Sequence, residues 1–116
     1  MKKTLLTALA LGIAGTSLIV QAKPMKTIDE AYRAVEASIY KNKLTGLKPA
    51  CIKYAWDADA TQYQLDIYEV HNKACGGDPD VERRMFSYLV NKKDGKLKTD
   101  AMRDDVDWDG DYHPIK

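Results

Sequence analysis

Alternating carboxylates near residue 110 form the one motif of this sequence with explicit ligand chemistry. Asp105, Asp107 and Asp109 are separated by single residues and are followed by Gly110, as in the first half of a calcium-binding loop. Such a loop wraps oxygen ligands around a hard cation and uses glycine for its sharp turn. Its second half is missing, because Lys116 stands where the bidentate glutamate belongs. Two interpretations stay open, a calcium site at the three aspartates and a solvated acidic tail, and the composition favours the tail.

Residues suited to catalysis are few. A nucleophilic mechanism would need His71 or His113 as a base beside a hydroxyl group, and no hydroxyl lies in a recognisable motif. Glu69 and His71, two residues apart on one predicted strand, form a surface pair more readily than a catalytic one. The cysteines and histidines also lack the spacing of a zinc site. We therefore predict a protein that is not an enzyme and that has no cofactor, apart from the calcium alternative.

The connection from residue 71 to residue 83 is long for a link between two strands. Its Gly-Gly pair allows backbone angles that other residues avoid, and its Asp-Pro pair stiffens the next step of the chain. A recognition loop and a plain turn around an irregular sheet edge fit this composition equally well. Two arginines at its end could supply rim charges for an acidic partner.

Tyrosine and tryptophan dominate the aromatic residues, with seven Tyr and two Trp against one Phe. Both residue types combine apolar area with a polar group, which suits binding faces. Tyr54, Trp56 and Tyr68 are predicted on the sheet face that a helix leaves uncovered, although a core position is the commoner outcome for any single one of them. The predicted binding residues are Gly76, Gly77, Asp78, Arg83, Arg84, Tyr68 and Trp56.

The first 22 residues have the pattern of a secretory signal peptide. Lys2 and Lys3 form a positive start, an apolar stretch covers residues 5–20, and Ala22 fits the small residue before a cleavage point. The stretch has polar and glycine interruptions and is short for a membrane span. We predict that residues 1–22 are removed on export to the periplasm or beyond it, and that no membrane span remains.

Charge and length narrow the class of protein further. Without residues 1–22 the chain of 116 residues shortens to 94, with 16 basic against 17 acidic side chains instead of 18 against 17. A non-specific nucleic-acid binder needs a basic surplus, so nucleic acid is excluded as a partner. The expected partner is another periplasmic or secreted protein.

Two cysteines in an exported chain predict one disulfide bond. Cys51 and Cys75 are the only cysteines of the sequence, and an oxidising compartment favours their pairing. The bond would close a loop of about 25 residues and contribute roughly 3 kcal/mol in the chain-entropy model.

The regular elements that must position these residues are one helix and a sheet. Thr27 and Glu30 form a capping box, and apolar residues at intervals of three and four predict an amphipathic helix to about Lys43. Alternation then predicts antiparallel strands, with a change of phase near Ile67 that a bulge or a two-sided strand end would explain. The predicted strands cover residues 51–56, 61–71, 85–91 and 96–99.

Residues 86–97, FSYLVNKKDGKL, resemble the strand–turn–strand ending of PepSY-type domains. The capped helix at Thr27 also precedes the strands in the expected place. This resemblance implies a small exported or membrane-associated α+β module, of a kind that occurs in some peptidase propeptides with an inferred inhibitory role.

Together these patterns predict an α+β protein. A domain at residues 23–103 would have an N-terminal amphipathic helix on a three- to four-stranded antiparallel sheet, followed by an acidic tail at residues 104–116. The predicted function is that of a small periplasmic inhibitor, immunity or accessory protein that acts through protein–protein contact. The alternative is a periplasmic module that binds calcium or a small ligand.

Overall fold

The structure, a computed structural model, describes residues 23–116, and the predicted signal peptide lies outside these residues. One α-helix precedes five strands, and a short 3-10 turn at Pro49–Cys51 leads into the first strand. The elements are α1 (Ile28–Lys41), β1 (Ile52–Ala58), β2 (Gln62–Glu69), β3 (Arg84–Asn91), β4 (Leu97–Thr99) and β5 (His113–Ile115). Within residues 23–116 no helix is long and apolar enough to cross a membrane.

Helix α1 begins at the capping box predicted from the sequence. The Glu30 amide donates to Thr27 Oγ1 at 3.2 Å, and the Thr27 amide donates to Glu30 Oε1 at 3.1 Å. These two bonds satisfy amides that the first turn leaves without partners. The helix buries one stripe of side chains against the sheet: Ala31, Val35, Ser38 and Ile39.

The five strands form one antiparallel sheet in chain order, from β1 at one edge to β5 at the other. Alternate residues of β2 and β3 face α1 and make the core, in which Leu65, Ile67, Tyr88 and Val90 are fully buried. The pairing of β2 with β3 shifts between Ile67 and Tyr68. Of the two explanations predicted for the change of phase, the structure therefore has the bulge.

The predicted count of three or four strands is wrong, because residues within the predicted tail add a fifth. In β5, Ile115 pairs with Leu97 and His113 pairs with Thr99. The Asn42 side-chain amide then donates to the Lys116 carbonyl at 2.7 Å and ties this strand to α1. A three-residue strand with a central proline gives no alternation to detect, and proline is tolerated on an edge strand.

The sheet has two different faces, and two aromatic residues were assigned to the wrong one. Tyr54 and Trp56 were predicted on the uncovered face, but Tyr54 pairs with Ile67 and Trp56 with Leu65, so both lie on the face of α1. The Tyr54 ring packs against Tyr32 of α1, with ring centroids 4.3 Å apart. Trp56 lies on this face and is 56% exposed. The alternation of side chains within β1 does not by itself show which of its two faces meets the helix.

Candidate functional site

A disulfide bond anchors the segment from residue 71 to residue 83, which we call the anchored loop. The predicted bond between Cys51 and Cys75 is present, with the two Cα atoms 5.5 Å apart. Inside the loop the Gly76 amide donates to the Asn72 carbonyl at 2.7 Å, and the Asn72 amide donates to the Gly76 carbonyl at 3.2 Å. The Cys75 amide also donates to Asn72 Oδ1. The loop is therefore fixed at its start by one covalent bond and three hydrogen bonds.

His71 holds the middle of the anchored loop through both nitrogens of its ring. Nε2 lies 2.7 Å from Glu69 Oε1, and Nδ1 lies 2.9 Å from the Asp78 carbonyl oxygen. Both partners are acceptors, so both ring nitrogens must donate, and only the protonated imidazolium can do so. The hydrogen bond to Glu69 is the main cause that raises the pKa of His71, and the bond to Asp78 adds to it.

This arrangement predicts a loss of stability as the pH rises. An unfolded histidine has a pKa of about 6.5, which is below the pKa of His71 in the folded protein. The stability that protonated His71 adds to the fold is therefore complete below the unfolded pKa and is lost as the pH rises through the folded pKa. Urea unfolding at acidic and alkaline pH should show this fall. In Glu69→Gln the fall should be smaller, and NMR should show a lower pKa for His71. A titration of His71 at the ordinary value in the wild-type protein would contradict the prediction.

The two loop glycines share a left-handed backbone and differ in their surroundings. Gly76 and Gly77 both have φ near +81°, as the composition predicted. A Cβ on Gly77 would lie 2.5 Å from His71 Cδ2, whereas a Cβ on Gly76 would meet nothing within 4 Å. Gly77 is therefore needed both for its backbone angle and for the space that the histidine ring occupies.

Alanine at the two glycines should separate these requirements. Gly76→Ala introduces only a left-handed non-glycine residue and should lower the free energy of unfolding by about 1 kcal/mol. Gly77→Ala adds the clash with His71 and should lower it by about 2 kcal/mol or more. Denaturant midpoints measure the difference, and an equal loss at both positions would show that His71 does not pack against Gly77 in solution.

The outer side of the anchored loop is open to solvent and carries both charge and apolar area. Val81 is 50% exposed, and Glu82 forms a 2.9 Å ion pair with Lys53 of β1. Arg83 and Asp78 are exposed. The backbone of Asp78 and of Val81 meets His71, while their side chains are exposed.

The structure brings most of the predicted binding residues together and separates one of them. Tyr68 pairs with Arg84 on β3 and with Lys53 on β1, so it lies beside the end of the anchored loop on the face opposite α1. Trp56 lies on the other face. The predicted set therefore divides into a group around the loop, made of Gly76, Gly77, Asp78, Arg83, Arg84 and Tyr68, and the separate Trp56.

Sequence reasoning missed a polar network that occupies the middle of the face opposite α1. Ser87 Oγ donates to Asp66 Oδ1, and the Ser87 amide donates to Asp100 Oδ1 at 2.7 Å. Arg84 Nη1 donates to Ser87 Oγ at 2.9 Å and lies 3.3 Å from Asp100 Oδ2. Asp66 and Ser87 are paired across β2 and β3. Each is a polar residue between two apolar ones in its strand, and this alternation is the signal that could have found them.

This network is better suited to holding the sheet than to catalysis. Ser87 is 2% exposed, and no histidine takes part in the bonds that surround it. Tyr112 lies against the same network, and burial raises the pKa of its hydroxyl. Tyr112, which lies between β4 and β5, therefore covers part of this face.

Two of the three predicted calcium ligands are bound to cationic partners or to histidine. Asp105 forms two hydrogen bonds with Arg103, at 2.8 and 3.0 Å, and Asp109 Oδ1 lies 2.8 Å from His113 Nε2. Each partner lowers the pKa of its aspartate. Among residues 23–116 no group of three metal-ligating side chains is close enough to hold an ion. Calcium binding stays a prediction.

Calorimetric titration of the protein with calcium tests this alternative. A calcium ion would have to displace Arg103 and His113 from the two aspartates, so a site here should bind more tightly in Arg103→Gln than in the wild-type protein. Binding heat that disappears in Asp107→Asn would place calcium at these residues, and the absence of heat in both proteins would remove the alternative.

Comparison with family models, with curated proteins and with solved structures gave no match to this chain. The resemblance of residues 86–97 to PepSY-type domains therefore stays a prediction.

Proposed function

We propose that this chain is an exported binding protein that contacts another protein through the anchored loop and acts as an inhibitor, immunity or accessory protein. The observation that carries the proposal is a loop that is both exposed and fixed. Its start is held by the disulfide bond and its middle by His71, while Val81, Arg83 and Asp78 face solvent.

A loop that is fixed before binding loses less conformational entropy when a partner binds than a flexible loop does. A flexible loop loses conformational freedom when a partner orders it, and each immobilised long side chain costs about 0.5–1.5 kcal/mol of affinity. In the anchored loop this ordering has already taken place during folding. A loop that merely connected two strands would need no such fixation, since short hairpin turns connect antiparallel strands.

The anchored loop carries exposed charges of both signs, with Asp78 and Asp80 in its middle and Arg83 at its end. Arg83 is exposed at the loop end, whereas Arg84 is partly engaged by Asp100. Lys53 and Glu82 neutralise each other beside it. Arg83 is therefore the cation best placed to meet a carboxylate, and Val81 supplies an apolar contact next to it.

A binding comparison with matched variants tests the proposed function. Oxidised protein of residues 23–116 serves as bait in periplasmic extract, beside Arg83→Glu in the loop and Arg33→Glu on the exposed side of α1. We expect a protein that is retained by the wild type and by Arg33→Glu, and lost with Arg83→Glu. Retention that is equal for all three baits, or no retained protein at all, would overturn the proposal.

Export is tested separately by the location and the first residue of the protein in bacteria. We expect it in the periplasmic fraction, with mass spectrometry showing a chain that starts at Lys23. A chain that keeps residues 1–22 in the cytoplasm would contradict this part of the proposal.

A further inference from the structure

The two edges of the sheet differ in how well they are protected against pairing with another strand. At one edge β5 has three residues with a proline in the middle, and short strands and proline both discourage pairing. At the other edge β1 has seven residues without proline, of which Ala55, Trp56, Asp57 and Ala58 are all exposed. Strand β1 is thus the long open edge of the described sheet.

The backbone of β1 shows which groups face that open edge. The Val70 amide donates to the Cys51 carbonyl, and the Asp59 amide donates to the Gln62 carbonyl. In an antiparallel pair, alternate residues direct their amide and carbonyl groups to the same neighbour. Odd-numbered residues of β1 therefore face β2, and even-numbered residues face the edge.

Two even-numbered residues keep both backbone groups available. The Ile52 amide is taken by the Pro49 carbonyl, and the Ala58 amide by Asp57 Oδ1 at 2.8 Å. Tyr54 and Trp56 lie between them, and their amides and carbonyls have no strand beside them within residues 23–116. Each can donate and accept one hydrogen bond.

The side chains of β1 are arranged so that the strand complements itself. Antiparallel pairing about a twofold axis at Ala55 places Tyr54 opposite Trp56 of a second copy, and Lys53 opposite Asp57 of that copy. Lys53 and Asp57 have opposite charge and lie on the same face, opposite α1. A shift of two residues would place Ala55 opposite Lys53 in one direction and opposite Asp57 in the other. In the second case Lys53 would face Asp59, whose carboxylate already accepts from the amides of Thr61 and Gln62.

From this complementarity we propose that β1 pairs with β1 of a second copy of this chain, giving a twofold-symmetric dimer with a ten-stranded sheet. Two Tyr54–Trp56 pairs contribute four backbone hydrogen bonds, and two Lys53–Asp57 pairs fix the register. On the face of α1, the aromatic rings of Trp56 and Tyr54 cover each other across the junction. The proposal does not depend on the anchored loop or its partner.

The size of the contact sets the expected strength of the dimer. Seven paired residues on each side bury less than the roughly 1,200–2,000 Å² of a standard interface. The dimer should therefore dissociate on dilution, so sedimentation equilibrium across a wide range of concentrations is the suitable measurement.

Charge reversal tests the register directly. Lys53→Asp would face an aspartate and Asp57→Lys would face a lysine, so each should raise the dimer dissociation constant by about tenfold. The double variant restores opposite charges and should return to within about threefold of the wild type. Arg33→Glu, a charge reversal on the exposed side of α1 and away from β1, is the matched control and should leave dimerisation unchanged.

A crosslink provides a second, independent measurement. Ala55 lies on the proposed axis at a non-hydrogen-bonded pair, where opposite Cβ atoms are close. Mild oxidation of Ala55→Cys should give a disulfide-linked dimer joined through position 55, whereas Ala58→Cys should not. A monomer at all concentrations, a dimer indifferent to both charge reversals, or equal crosslinking at both positions would overturn the proposal.

Discussion

Replacing Cys51 and Cys75 with alanine is expected to lower the free energy of unfolding by about 3 kcal/mol. The bond joins residues 24 positions apart, and the chain-entropy model assigns its effect to the unfolded state, which the bond restricts. A domain of this length has a small core and a correspondingly small total stability. The loss should therefore be a large share of the whole.

Guanidinium unfolding of the oxidised wild type and of the cysteine-free variant measures this effect. Wild-type protein under reducing conditions should match the variant, and the variant itself should not respond to reductant. A loss below about 1 kcal/mol would contradict the prediction, since it would mean that the bond restricts the unfolded chain little.

The same variant should loosen the anchored loop before the domain unfolds. Without the bond, only hydrogen bonds hold Asn72, Cys75 and Gly76 together. Hydrogen exchange at the Gly76 amide should become faster, and the pKa of His71 should fall as its contact with the Asp78 carbonyl weakens. Unchanged exchange would show that the hydrogen bonds hold the loop without the disulfide bond.

Local signals in the sequence were sufficient for the elements around α1 and for the bulge. The capping box at Thr27, the pairing of Cys51 with Cys75 and the phase change at Ile67 each depend on residues or patterns that are visible within a short window. Their physical causes are satisfied helix amides, two cysteines that have only each other to pair with, and the alternation of strand faces, and each acts locally or through a unique pair. These predictions are confirmed.

Features that depend on the meeting of distant segments could not be predicted. Strand β5 has three residues and is defined by its pairing with β4, and the face on which Trp56 lies is set by its pairing with Leu65 of β2. The packing of His71 against Gly77 also needs the loop to fold back on itself. No window of the sequence contains these relationships, because they depend on tertiary contacts.

The proposed contact through the anchored loop and the proposed dimer use neighbouring surfaces, and Lys53 of β1 lies next to both. Lys53 forms an ion pair with Glu82 of the anchored loop and, in the proposed dimer, faces Asp57 of the second copy. A dimer would therefore place two anchored loops in a fixed relationship, each beside the junction. A partner with two acidic sites could then bind with higher avidity than a partner with one.

Leu65→Ala is expected to have the other large effect on stability, a loss of about 3 kcal/mol. Leu65 lies on β2 facing α1 and is fully buried in the core. It pairs with Tyr88, and burial in the same core raises the pKa of that tyrosine to about 12. Truncation removes buried apolar area and leaves a cavity that α1 and the sheet can only partly close.

Leu89 provides the matched control for this prediction, because it carries the same side chain on the neighbouring strand and faces away from α1. Leu89→Ala should cost about 1 kcal/mol or less. Thermal unfolding should show the contrast as a fall in Tm of about 15 °C for Leu65→Ala against a few degrees for Leu89→Ala. Equal losses at the two leucines would mean that α1 does not cover one face of the sheet, and would overturn the division of faces on which both proposed surfaces depend.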